Sequence, residues 1–207
     1  MNKKLLILLM MAATPAFAQV SMMQNANKNL DTIVLAGGCY WCVEAVYEQL
    51  DGVVSAVSGY AGGTNPNPTY EDVSTGRTGY AEVVQITYDK TKTNLDEIFK
   101  IFFTVHDPTT LNRQGADVGT QYRSAIFYKN EKEKLAAESI IKALSKGDAF
   151  EKPIVTSIEK LTKFYKAEDY HQDYYQNNKS QPYCRMVIQP KMEKFEKVFK
   201  DRLKKKK

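Results

Sequence analysis

Three cysteines, two histidines and one tryptophan are all that 207 residues provide of these three residue types. Three cysteines cannot build a disulfide scaffold, which uses a denser and even-numbered set. A structural zinc site is also poorly served. Only Cys39, Cys42, Cys184, His106 and His171 could donate, and their spacing lacks paired C-x-x-C motifs. No apolar run is long enough to span a bilayer, since the one at the N-terminus covers only Leu5–Ala13. Positive charge is in modest excess, +5 formally, and much of it sits in the tail from Lys197 to Lys207 with no aromatic-interleaved patch. Nucleic-acid binding therefore has little support. What is present, 43% hydrophobic and 26% charged residues, is the composition of a folded globular protein.

Met1-Asn2-Lys3-Lys4, the apolar Leu5–Ala13 and Ala16-Phe17-Ala18 follow the grammar of a secretory signal peptide cut after Ala18. The expected organisation is a signal peptide over 1–18, a polar leader over 19–30, one catalytic domain over 31–200 and a solvated basic tail over 201–207. No cysteine follows the cut to carry a lipid. The chain is expected to be exported, and periplasmic if the source has two membranes.

Thr32–Leu35 reads as a buried strand that meets Gly37-Gly38. A helix runs from Trp41 to Leu50, and strands follow at Val53–Tyr60 and Tyr80–Tyr88. Asn94 caps a helix ending near Val105. A polar loop, Arg113–Gly119, leads to a strand at Tyr122–Tyr128. Asn130 opens a further helix, Ile154–Ile158 is β-like, and Met192–Leu203 is a last amphipathic helix. The order strand-helix-strand-strand-helix-strand predicts an α+β fold. Its core is the ferredoxin-like split βαβ, with appended C-terminal elements.

Cys39 stands where the first strand turns into a helix. Backbone N–H groups there, and the positive end of the dipole, favour a thiolate. Cys42 lies three residues on, close enough to bridge it. A structural disulfide and a thioredoxin-like disulfide oxidoreductase using Cys39 and Cys42 are the competing readings. Alternation along Tyr80–Tyr88 sends Glu82 to the more apolar face. Burial raises a carboxyl pKa there, making a general acid unless Arg123 pairs with it. Tyr70 and Tyr122 can donate hydrogen bonds to an oxygen that gains charge, though most of 13 tyrosines serve packing. His106 at a helix end and His171 in an Asp/Tyr-rich surface segment are given bland roles.

Several motifs stand in one order. They are Gly38-Cys39-Tyr40-Trp41, Ser58–Gly63, Asn67-Pro68-Thr69-Tyr70, Gly79-Tyr80-Ala81-Glu82, His106-Asp107-Pro108 and Arg113–Ser124. Together they resemble the A-type peptide methionine sulfoxide reductases, over roughly Asp31 to Lys197. That resemblance implies reduction of the S epimer of methionine sulfoxide, free or in proteins, as repair after oxidation. Cys39 matches the nucleophile and Glu82 the acid; Tyr70 and Tyr122 match the phenols that bind the sulfoxide oxygen. Tyr40 and Trp41 match the aromatic wall for the S-methyl group, and Asp117 a carboxylate that orients substrate and water. It implies no bound metal, flavin or nicotinamide, and electrons from a thioredoxin-like donor; nothing in the sequence demands an oligomer, so a monomer is expected. The chain departs from the family pattern in Tyr40 for Phe, Tyr80 for His and Cys42 for Gly, and it lacks the Gly-rich tail with two resolving cysteines. The resolving thiol is Cys184 or Cys42. Cys184 is preferred, because it matches a resolving position and lies on a segment without obvious regular structure.

Overall fold

In the computed structural model, which describes residues 28–205, the first β-branched run becomes strand β1, Leu30–Gly37. The chain turns at Gly38 directly into helix α1, Tyr40–Glu48. Strand β2 (Val53–Ala61) leads to a short helix, α2 (Tyr70–Ser74), and then to strand β3 (Ala81–Asp89). Asn94 caps helix α3 (Leu95–Val105) by accepting the Glu97 N–H at 3.0 Å. A small hairpin follows, β4 (Arg113–Gln114) and β5 (Asp117–Val118). Strand β6 (Ser124–Tyr128) and helix α4 (Glu131–Lys146), capped by Asn130, complete the core. The appended elements are β7 (Ser157–Lys160), β8 (Tyr165–Lys166), α5 (Tyr174–Asn177) and α6 (Gln189–Val198).

The main sheet has the order β7-β6-β1-β3-β2-β8. Strands β1 and β2 are joined through α1, and β3 is inserted between them, which is the mark of a split βαβ unit. The expected α+β, ferredoxin-like class is the one found. Strand β7 extends the sheet in parallel beside β6, and β8 antiparallel beside β2.

Both faces of the sheet are covered. Ile33 and Leu35 of β1, with Val84 and Ile86 of β3, face the helices and a large core that includes Val46, Phe99, Phe102 and Phe195. Val34, Ala36, Ala81 and Val83 face a second, smaller core on which Leu161 and Phe164 pack. Small residues on that face let the appended segment approach. Gly59 of β2 is needed for the same reason, since a Cβ there would strike the Phe164 ring and the Tyr165 carbonyl.

Several expected boundaries shift. Tyr122 does not begin a strand; Thr120–Tyr122 is a 3-10 turn in which the Tyr122 N–H bonds the Gly119 carbonyl at 3.0 Å. The expected strand Ile154–Ile158 starts at Ser157, because the Val155 N–H goes instead to the Pro108 carbonyl. The loop Arg113–Gly119 contains the hairpin β4–β5. The last helix is Gln189–Val198, not Met192–Leu203.

The tail is a larger correction. Arg202 pairs with Glu97, and Leu203 bridges to Leu50. The Lys204 N–H bonds the Gln49 carbonyl at 2.8 Å. Residues 201–204 are thus docked on the domain, because two backbone bonds and a partly buried ion pair outweigh fraying. The signal peptide over 1–18 and the leader over 19–27 lie outside the described residues. At the leader's other end, Leu30 already belongs to β1. No helix among the described residues is long and apolar enough to cross a membrane.

Candidate active site

Gly38 has φ +86°, and a Cβ there would lie 2.5 Å from Gln114 of β4. Only glycine meets both conditions, so the hairpin β4–β5 can lie against the turn that presents Cys39. Gln114 holds this contact in place. Its Oε1 accepts the Asp107 N–H at 3.2 Å, and its Nε2 donates to the Asp107 carbonyl at 3.1 Å.

Cys39 is the N-cap of α1, and its side chain makes no cap hydrogen bond. The first N–H of the helix, from Tyr40, donates to Glu82 Oε2 at 3.1 Å. Glu82 is buried on the helix-facing side of β3, as its place in the alternation predicts. Arg123, the alternative partner, forms its ion pair with Glu159 at 3.1 Å. Burial pushes the Glu82 carboxyl up to about 8, with the Tyr40 bond opposing and the Asp117 charge adding. It is therefore mostly protonated at neutral pH.

The two cysteines at the head of α1 are both buried and both free thiols, and their surroundings shift them in opposite directions. Burial, the Cys42 thiol and the Glu82 charge hold the Cys39 thiol well above the ordinary thiol range. The Cys39 thiol lowers Cys42 to about 7 against burial, with the Lys191 ammonium helping. The leading helix N–H is committed to Glu82, and the Lys191 charge favours an ionised Cys42.

Tyr70, Tyr122 and Asp117 converge on the same place. The Tyr122 phenol is raised by burial and then by the charges of Glu82, Cys39 and Asp117. Tyr70 is raised by burial, with a Ser74 bond opposing and Glu82 and Cys39 adding. Asp117 Oδ2 accepts from the Tyr183 hydroxyl at 2.7 Å, and burial and then the Cys39 charge raise the Tyr183 phenol. Cys184 follows Tyr183. It is fully buried in a π-helical turn, Cys184–Ile188, that runs into α6, so the expected irregular segment is not found. Burial raises its thiol, and Cys42 is the charge neighbour that adds to this.

Tyr40 is buried and Trp41 half-buried, with ring centroids 6.1 Å apart. Trp41 stacks on Tyr174 at 3.6 Å and meets the edge of Tyr183 at 5.8 Å. His171, read as part of a surface segment, is buried among these rings. The segment is turned inward by Gln172, which accepts the Ser58 N–H at 3.0 Å and donates to the Ala167 carbonyl at 2.9 Å. Glu168 was also missed; its carboxylate accepts both the Tyr60 hydroxyl (2.8 Å) and the Tyr70 N–H (2.9 Å). The aromatic density of Tyr170, Tyr174 and Tyr175 was the available signal, masked by the intervening polar residues. Among the described residues no group of three or more His, Cys, Asp or Glu is gathered as for a metal.

Residues 31–203 match the family described as peptide methionine sulfoxide reductase. The chain belongs to that family. Peptide methionine sulfoxide reductase MsrA of Saccharolobus solfataricus is 54% identical over 175 residues, covering 84% of this chain and 98% of that one. Reduced Mxr1 of Saccharomyces cerevisiae aligns with a TM-score of 0.69 at 37% identity, over 76% of this chain and 90% of that chain. Methionine sulfoxide reductase A of Corynebacterium diphtheriae gives 0.64 at 37% identity, over 72% and 76%. As a peptide methionine sulfoxide reductase, the chain is an oxidoreductase that acts on sulfur.

Proposed function

We propose that this reductase takes the S epimer of methionine sulfoxide, free or in oxidised proteins, and uses Cys39 as nucleophile and Glu82 as acid. The observation that carries the reading is a buried carboxyl, protonated near neutral pH, bonded to the backbone N–H beside Cys39. Sulfoxide oxygen leaves poorly until it is protonated. As Cys39 attacks sulfur, its own proton passes to the Cys42 thiolate and the Glu82 proton to the oxygen. The S–O bond breaks, the released hydroxide adds to the Cys39 sulfur, and the new S–S bond breaks as methionine departs, leaving Cys39 as a sulfenic acid. Tyr70 and Tyr122 donate to the oxygen as charge builds. Tyr40 and Trp41 wall the pocket for the S-methyl group. Asp117 acts through Tyr183, whose hydroxyl it holds.

Cys42 is the first resolving thiol in this proposal, ahead of Cys184. It lies three residues from Cys39 on the same turn, and the Cys39 thiol and the Lys191 charge lower it to about 7. Its attack forms the Cys39–Cys42 disulfide and releases water. Cys184, next to Cys42, then exchanges with that disulfide and frees Cys39. A thioredoxin-like dithiol delivers the two electrons and two protons that close the cycle. A simple disulfide exchanger is not favoured, since the family match is to sulfoxide reductases.

A single turnover without reductant tests the sequence of events. With one equivalent of sulfoxide per protein, one methionine should appear, and the earliest disulfide should map to Cys39–Cys42. Cys42→Ser should slow disulfide formation far more than Cys184→Ser. Absence of methionine would overturn the reaction; an earliest bridge from Cys39 to Cys184 would overturn the order.

The chain is also proposed to be exported, supported by the lysine, apolar and Ala16-Phe17-Ala18 pattern. Mature protein recovered from outside the cytoplasm should begin at Gln19. An intact Met1 on all of it would contradict export by cleavage.

A further inference from the structure

Between β2 and α2 the chain runs through an irregular loop, residues 62–69, that turns at Gly62 (φ +89°) and Asn67 (φ +54°). Each flank of this loop presents a tyrosine. Tyr60, fully buried near the end of β2, stands opposite Glu82 of β3 in the sheet register, so the phenol and the acid share one face. Tyr70 is the first residue of α2, which has only five residues and is too short to be rigid alone.

One side chain from far along the chain holds both flanks. Glu168 Oε2 accepts the Tyr60 hydroxyl at 2.8 Å, and its Oε1 accepts the Tyr70 N–H at 2.9 Å. The segment that bears it is fixed independently: Tyr165 of β8 pairs with Tyr60, and the Ala167 N–H bonds the Ser58 carbonyl at 2.9 Å. Burial opposes ionisation of Glu168. Its own backbone N–H, the Tyr70 N–H and the Tyr60 hydroxyl outweigh that and hold the carboxyl below its ordinary 4.5. Both oxygens are therefore charged acceptors at neutral pH. Thr69 already caps α2 through its bonds with Asp72, so the helix does not need Glu168 to start. What Thr69 cannot supply is a tie from α2 to the sheet.

We infer that Glu168 is a positioning residue: by joining α2 to β2 it fixes where the Tyr70 phenol stands relative to Glu82 and Cys39. The inference deepens the sulfoxide-reductase reading and rests on it. In that reading the phenol donates to the sulfoxide oxygen as charge builds, an interaction made chiefly in the transition state. A drift of about 1 Å at such a donor costs rate rather than substrate affinity.

Two substitutions separate positioning from general support. Glu168→Ala removes both acceptors. Glu168→Gln keeps the bridge, since its Oε1 accepts the Tyr70 N–H and its Nε2 donates to the Tyr60 hydroxyl oxygen. Glu168→Ala should lower kcat by about 10–100-fold with KM within about threefold of native, and Glu168→Gln should keep kcat within about threefold. Because Glu168 acts through Tyr70, the losses should not multiply. In a Tyr70→Phe background, Glu168→Ala should cost less than about twofold more. Exchange of the Tyr70 amide hydrogen needs no turnover. It should be slow in the native protein and in Glu168→Gln, and about tenfold faster or more in Glu168→Ala. If Glu168→Ala fails to fold, Tyr60→Phe removes one arm of the bridge and keeps the ring. Its kcat should fall about threefold or more, and Tyr70→Phe should again absorb the loss. A native protein that forms no methionine would defeat the sulfoxide-reductase reading and leave amide exchange to decide the bridge. Native kcat in folded Glu168→Ala, equal losses in the Ala and Gln variants, losses that multiply in the Tyr70→Phe background, or a Tyr70 amide equally slow to exchange in Glu168→Ala would each overturn the assignment.

Discussion

Cys39→Ser is expected to lose methionine sulfoxide turnover by a factor on the order of 10⁴ or more, with dithiothreitol as reductant. The reason is chemical. Sulfur accepts the substrate's oxygen as a sulfenic acid, whereas a serine oxygen would have to form a peroxide. The hydroxyl is also a far weaker nucleophile at the pH where a thiol begins to ionise. Folding should survive, since serine nearly matches the small buried side chain and is among the preferred N-cap residues. Methionine release by chromatography, with thermal unfolding as a control, measures both. Turnover within tenfold of native in the folded variant would remove Cys39 from the chemistry.

Glu82→Gln is the second large effect. Its amide oxygen can still accept the Tyr40 N–H, so the geometry at the head of α1 is retained. The transferable proton is lost, and kcat should fall by about 10²–10⁴. The pH profile distinguishes this from mere misplacement. In the native enzyme the rate should decline as pH rises through about 8, where Glu82 gives up its proton; the variant should lack that decline. Stability follows the same proton. The folded pKa of about 8 lies above the ordinary 4.5, so the folded chain binds the proton more tightly. That contribution is complete below about 4.5 and is lost as pH rises through about 8. Glutamine stays neutral throughout, so the variant should lose less stability than the native protein over that interval. Glu44 and Glu48, raised by burial to about 7 and about 8, titrate alike in both proteins. The comparison therefore isolates Glu82.

The core of the fold was legible because its elements announce themselves by pattern. Val84, Ile86 and Tyr88, spaced by two from Glu82, gave both the strand and the face of the acid, and Asn94 and Asn130 marked helix starts by cap chemistry. Elements held by long-range bonds were less legible. The Thr120–Tyr122 turn and the docking of Arg202 on Glu97 depend on partners far away in the chain, which local spacing does not reveal. In the site, the fold brings Cys39, Glu82, Tyr70, Tyr122 and Asp117 near one another. What spacing could not supply was the competition for the first helix N–H. Glu82 takes it, so that donor is not available to the Cys39 thiol. His171 was misread for a related reason. Its segment looks solvated until Gln172 is seen to be bonded to the backbone of Ser58.

The measurement that bears most directly on the account is a stereospecific assay with separated methionine sulfoxide epimers, reduced by dithiothreitol and followed as methionine formed. The account predicts consumption of the S epimer, with the R epimer left intact and no turnover of either by Cys39→Ser. Equal consumption of both epimers, or of neither by active, folded protein, would contradict it.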